Sequence, residues 1–198
     1  MSLERGYSMV KIDTRVHGLI GTNCYVLSID GECIIIDMAD GSGGKIADYL
    51  VKQNLTPLAV LITHGHFDHC SGLRAFLKKF PVKVYMHEAD IKKKSDNTIF
   101  VNDNDVLKIG RFEIKAIHTP GHTKGGLCYV VEKNIFSGDT LFHEDAGRTD
   151  LAGGSELELR QSIKKLYALD GNFVVYPGHM ESTTLDEERE NNSFQRAK

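Results

Sequence analysis

A chain of 198 residues with 41% apolar and 26% charged residues has the make-up of an ordinary soluble protein, long enough to bury a sizeable core. A net charge of −3 supplies no pull toward nucleic acid or an anionic membrane surface, and no apolar run approaches the ~18 residues of a membrane span. The expectation is therefore one domain over residues 1–198, acting on small molecules without nucleic acid or membrane.

The short runs Lys92-Lys93-Lys94 and Asp186-Glu187-Glu188 read as solvated faces. The four cysteines, Cys24, Cys33, Cys70 and Cys128, form no CxxC motif and no disulfide framework. Residues Met1 to Gly6 lack a signal-peptide core. Together these predict a reducing, cytoplasmic setting, with most cysteines acting as small apolar residues.

In chain order, the first elements are strands. Val10 to Val16 alternates in polarity, and Asn23 to Ile29 is apolar and β-rich. Asp30-Gly31 is a hairpin signal leading into Cys33-Ile34-Ile35-Ile36, a run apolar on both faces that suits a covered strand. The period then changes to a helical stripe through Ile46, Tyr49 and Leu50, introduced by Gly41-Ser42-Gly43-Gly44. Ala59 to Ile62 is another buried strand, running into His64. Leu73, Phe76, Leu77 and Phe80 repeat as one face of an amphipathic helix that begins near Cys70-Ser71 and ends at Pro81. Its N-terminus points toward the histidines before it and favours anionic groups there.

Val82 to Met86 reads as a strand and Glu88 to Lys93 as a short helix. Hairpins are expected from Asp105–Ile109 with Phe112–Ile117, and from Leu127–Val131 with Asn134–Phe136. Ser155-Glu156-Leu157-Glu158 is a capping box that opens a helix with Leu159, Ile163, Leu166 and Tyr167 on one face, ended by Gly171. Phe173 to Tyr176 is a last strand, followed by a charged helix over Leu185 to Asn191.

The densest chemistry lies in His64-Gly65-His66-Phe67-Asp68-His69, four potential metal ligands within six residues. On a strand, His64 and His66 share a face and His69 does not. Only a loop lets all four converge, and Gly65 supplies the backbone freedom. Three further segments follow an apolar strand with a turn and a ligand-type residue: Thr119-Pro120-Gly121-His122, Ser137-Gly138-Asp139 and Tyr176-Pro177-Gly178-His179. Side chains delivered from separate strand ends are how rigid α/β scaffolds build sites. His64, His66, His122 and Asp139 could fill one site, and Asp68, His69, Asp139 and His179 a second if Asp139 bridges. Imidazole and carboxylate without thiolate suit two divalent ions, zinc first, with iron or manganese as alternatives. His143 lies close enough in sequence to Asp139 to support it, while His118 is expected to face away from His122.

This set, His64-x-His66-x-Asp68-His69 followed by His122, Asp139 and His179, resembles the metallo-β-lactamase superfamily. The resemblance implies a four-layer αβ/βα sandwich, with the site at one edge of the sheets. It also implies a supporting role for Asp37, which closes Ile34-Ile35-Ile36. His69 and the aspartate at 139 are unlike those true β-lactamases that carry arginine and cysteine or serine at these places. Gly138-Asp139-Thr140-Leu141-Phe142, Gly147-Arg148-Thr149-Asp150-Leu151 and Tyr176-Pro177-Gly178-His179 are similar to the short bacterial type of glyoxalase II. The chain ends about twenty residues after His179, so the glutathione-binding helical domain of the long type is expected to be absent.

The reaction implied is hydrolysis of a thioester such as a hydroxyacylglutathione by a metal-bridging hydroxide, with Asp68 as the catalytic carboxylate that orients it. Arg148 is a candidate to receive a substrate carboxylate, or else a loop salt bridge with Asp150 or Asp145. The competing expectations are a mononuclear-iron persulfide dioxygenase, which shares the ligand set, and a nuclease or lactonase of the same fold. A metal-binding module without catalysis is the last alternative.

Overall fold

The computed structural model describes residues 9–91 and 94–196. Met1 to Gly6, and the Lys92-Lys93 end of the predicted short helix and basic run, lie outside the described residues.

The first half builds a six-stranded sheet in the order β1 (Lys11–His17), β2 (Thr22–Ile29), β3 (Glu32–Ile36), β4 (Thr56–Leu61), β5 (Lys83–Met86) and β6 (Thr98–Phe100). β1 to β3 are antiparallel and β3 to β6 parallel. The turn between β2 and β3 places Asp30 at φ 47° and Gly31 at φ 85°. This double left-handed turn matches the right-handed twist of the strands it joins. Helices α1 (Ser42–Lys52), α2 (Phe67–Cys70) and α3 (Leu73–Lys79) supply the crossovers.

The second half forms another six-stranded sheet from β7 (Val106–Ile109), β8 (Phe112–His118), β9 (Leu127–Val131), β10 (Asn134–Gly138), β13 (Val174–Pro177) and β14 (Thr183–Thr184). β10 and β13 pair in parallel and the remaining neighbours antiparallel. The small ribbon β11 (Leu141–Phe142) and β12 (Asp145–Ala146) follows β10. Helix α4 (Glu156–Tyr167) connects that ribbon to β13, and α5 (Leu185–Asn191) and α6 (Ser193–Arg196) close the described chain.

Side-chain alternation sorts these elements into four layers. Tyr25, Leu27, Ile34, Ile36 and Leu61 from the first sheet meet Ile114, Ala116, Leu127, Tyr129 and Phe136 from the second in one central core. The opposite face of the first sheet, with Val26, Cys33, Ile35 and Val60, packs on Ile46 and Leu50 of α1 and Phe76 of α3. The opposite face of the second sheet, with Ile117, Cys128, Ile135 and Val175, packs on Leu159, Ile163 and Leu166 of α4. This is the αβ/βα sandwich expected from the resemblance. β3 reads as apolar on both faces because it is covered on both.

Several boundaries differ from the sequence reading. The helix expected from Cys70-Ser71 is two pieces, because the Gly72 N–H bonds Met38 O and the chain turns before α3. It is therefore α2, with His66 as its cap residue, that starts at the histidine cluster. Among the described residues, only a single turn, Glu88–Asp90, forms where the short helix was expected. The Ser155 hydroxyl accepts from the Glu158 N–H as the capping box requires, but α4 ends at Tyr167 with Ala168 as its cap residue, ahead of Gly171.

Candidate metal centre

The seven predicted ligands converge at one edge of the sandwich. β4 delivers the loop with His64 and His66, and α2 carries Asp68 and His69. His122 follows β8, Asp139 follows β10 directly, and His179 follows β13. Bonds between the sheets fix this edge: Leu127 N–H to Thr63 O at 2.8 Å, Asn23 N–H to Gly178 O at 2.8 Å, and the Tyr25 hydroxyl to Pro177 O at 2.5 Å.

The ligand atoms fall into three overlapping groups: His64 with His66 and His122; His64 with His69 and Asp139; and Asp68 with His69 and His179, each within 4.8 Å. The Asp139 carboxylate lies between them. Oδ2 is 3.4 Å from His122 Nε2, 3.7 Å from His179 Nε2 and 4.0 Å from His64 Nε2, while Oδ1 is 3.4 Å from His69 Nε2. His66 Nδ1 meets His122 Nε2 at 2.9 Å, and Asp68 Oδ2 is 3.2 Å from His179 Nε2 and 3.3 Å from His69 Nε2. Gly178 belongs to this packing, because an added Cβ would strike Asp139 Oδ1 and stand 2.7 Å from His69 Cε1.

Neighbours fix how several rings present themselves. His69 Nδ1 donates to Asp37 Oδ2 at 2.7 Å, and His122 Nδ1 donates to the Arg148 carbonyl at 2.7 Å. Both turn Nε2 toward the cluster, the nitrogen that a metal ion would take. Asp37 also accepts from Thr63 N at 2.8 Å and Thr63 Oγ1 at 2.7 Å, so its supporting role is borne out. Thr22 Oγ1 donates to Asp68 Oδ2 at 3.2 Å. Thr22, Thr63 and the main chain of Arg148 were not singled out in the sequence. No motif marks a threonine or a carbonyl as a buttress, and their partners are 46, 26 and 26 residues away.

Two expectations need correction. His143 does not reach Asp139; its Nε2 lies 3.8 Å from Glu144 Oε1. Gly65 does not adopt a left-handed backbone, and its reason is spatial, as described below. His118, as expected, faces elsewhere: its Nε2 bonds the Lys124 carbonyl and its ring stacks on His87. The Arg148 side chain is exposed and pairs with both oxygens of Asp150, at 2.7 and 2.6 Å.

The donor set fits a divalent cation. His64 Nε2 and Asp139 Oδ1 are buried without a hydrogen-bond partner among the described residues, and each such group costs about 1–3 kcal/mol unless something answers it. Burial, with His69 close by, holds His64 well below the usual imidazole range. Burial and His122 lower His66, so both rings are neutral near pH 7, as ligands must be. For Asp68, burial pushes upward, but bonds from His179 and His69 outweigh it and keep the carboxylate charged. Asp139 is also held charged against burial, with the nearby His69 ring the largest opposing influence.

The sequence model of the metallo-β-lactamase superfamily matches residues 17–179. The chain is 34% identical to the Bacillus subtilis protein named "Probable metallo-hydrolase YqgX", over 89% of this chain and 93% of that one. Among solved structures, BLEG-1, described as a B3 metallo-β-lactamase, superposes with a TM-score of 0.85 at 34% identity, covering 93% of this chain and 99% of that one. TTHA1623 in a di-iron-bound form superposes with a TM-score of 0.83 at 28% identity, covering 92% and 99%. A chain with this fold, this site and these likenesses belongs to the metallo-β-lactamase superfamily. Among the described residues, no helix is long and apolar enough to cross a membrane.

Proposed function

We propose that this chain is a metal-dependent hydrolase of thioesters, of the glyoxalase II type, with a hydroxyacylglutathione as the model substrate. The observation that carries the reading is the placement of the Asp139 carboxylate, whose two oxygens face histidines of both ligand groups. His64, His66 and His122 would hold one ion, and Asp68, His69 and His179 the other, with Asp139 shared. The likenesses to a protein named a metallo-hydrolase and to one solved in a di-iron-bound form support a hydrolytic two-ion centre. Zinc is the first candidate, with iron or manganese also suited to imidazole and carboxylate.

Such a pair of ions supplies hydroxide near neutral pH and Lewis-acid stabilisation of the oxyanion. The protein's part is placement. Asp37 and the Arg148 carbonyl hold the His69 and His122 rings, and Thr22 holds the Asp68 carboxylate that orients the nucleophile. Arg148 stands on the loop that follows β12, where rotation away from Asp150 would present its planar fork to a substrate carboxylate. The similarity of Gly147-Arg148-Thr149-Asp150 to the glyoxalase II branch supports that assignment. The natural setting proposed is the reducing cytoplasm, consistent with four free cysteines.

The test is substrate profiling on metal-replete protein with lactoylglutathione, simple thioesters and a chromogenic cephalosporin. Preferential thioester cleavage supports the proposal. Cephalosporin turnover without thioester cleavage would move the chain toward the activity named for BLEG-1.

A further inference from the structure

Asp90 closes the single turn Glu88–Asp90 after β5. Its side chain does not reach the ligand cluster, yet it binds both loops that feed the cluster. Oδ2 accepts from the Gly65 N–H at 2.9 Å and from Thr123 Oγ1 at 2.6 Å. Oδ1 accepts from the Gly125 N–H at 2.7 Å. Gly65 immediately precedes His66, and Thr123 immediately follows His122. One carboxylate oxygen thus joins the chain neighbours of the two rings whose nitrogens meet at 2.9 Å.

The glycines of both loops make room for this clasp. A Cβ on Gly65 would collide with the Asp90 carbonyl, and one on Gly125 would stand 2.6 Å from Asp90 Cγ. Neither glycine has positive φ, so close approach rather than backbone freedom is what each position demands. The loops follow strands of different sheets, β4 and β8, so their spacing is a long-range property of the sandwich. The bond from Leu127 N–H to Thr63 O ties the bases of these loops, and Asp90 ties them nearer the ligands. Three donors need an acceptor with several lone pairs on two oxygens, which a carboxylate offers and an amide does not.

We infer that Asp90 is a positioning residue that sets the separation of His66 and His122, and with it the affinity of the ion these two would share. The inference rests on the two-ion reading of the site, and metal binding alone tests it. Zinc affinities are measured by chelator competition on wild-type, Asp90→Ala, Asp90→Asn and Thr123→Val proteins, alongside urea unfolding of each in its metal-free form. Asp90→Ala should weaken one of the two binding steps about 10- to 100-fold, leaving the step served by Asp68, His69 and His179 unchanged. Asp90→Asn should restore part of the loss. Thr123→Val, which removes one bond, should show a smaller selective loss and decides the matter if Asp90→Ala does not fold. Unchanged zinc affinities, or both steps weakening in parallel with metal-free stability, would overturn the inference. Wild-type protein that binds no divalent ion would overturn the two-ion reading as well.

Discussion

The Asp37 carboxylate lies 2.7 Å from His69 Nδ1 while its own backbone occupies the left-handed region, at φ 61°. That uncommon backbone for an aspartate turns the end of β3 so that one side chain serves Thr63 and His69 together. Both partners are buried, so neither has water to fall back on. Asp37→Ala should lower the stability of metal-free protein by about 3 kcal/mol. Asp37→Asn, tolerant of the same backbone, should destabilise less but weaken metal binding about 10- to 100-fold. Urea unfolding with and without chelator separates the two effects.

Asp139 faces both ligand groups, so its loss should be felt by both ions. Asp139→Ala should carry close to no bound metal by elemental analysis, against the two ions per chain expected of wild type. Retention of one full ion would mean that the two groups bind independently.

Burial raises the Cys24 and Cys128 thiols to about 11 and Cys33 to about 12. At pH 8 their thiolate fractions are about one in a thousand or lower, against about a quarter for a free cysteine. Native protein should leave these three unreactive toward a disulfide reagent, and denatured protein should expose all four. The sign for stability follows. A raised pKa means that the folded state holds its protons to higher pH, so stability is complete below about pH 8.5. It should fall as pH rises from there through about 11. Thermal melts in buffers from pH 7 to pH 10 check the direction, and a melting temperature that rises across this range would contradict it.

The Arg148–Asp150 pair is exposed, so breaking it should not shift the melting temperature. If its fork receives a substrate carboxylate, Arg148→Ala should raise KM for lactoylglutathione about tenfold with kcat little changed. A neutral thioester should be unaffected. Asp150→Asn should lower KM by freeing the guanidinium. Equal effects of Arg148→Ala on charged and neutral substrates would assign the residue to loop shape alone, through the carbonyl that holds His122.

The layers of the fold were legible because β2, β3 and β4 are continuous apolar runs and α1, α3 and α4 carry apolar stripes, signals that burial on two faces or on one imposes directly. The ribbon β11–β12 and the two-residue strand β14 were not, since pieces so short have no period to read. The seven clustered side chains were legible from strand-end placement and ligand type. Of their supports, only Asp37 was, through the resemblance. Thr22, Thr63, Asp90 and the Arg148 carbonyl act through contacts between segments remote in sequence, which only the packing of two sheets brings together. Gly65 shows the limit most clearly: the sequence marks the glycine, and the structure supplies Asp90 as its reason.

The central claim is tested most directly by measuring metal content and lactoylglutathione hydrolysis on the same purified sample, before and after chelation. Close to two zinc, iron or manganese ions per chain, with thioester cleavage lost on chelation and restored on reloading, is the predicted result. One iron per chain with oxygen uptake on a glutathione persulfide, or a metal-replete sample inert toward every thioester, would contradict it.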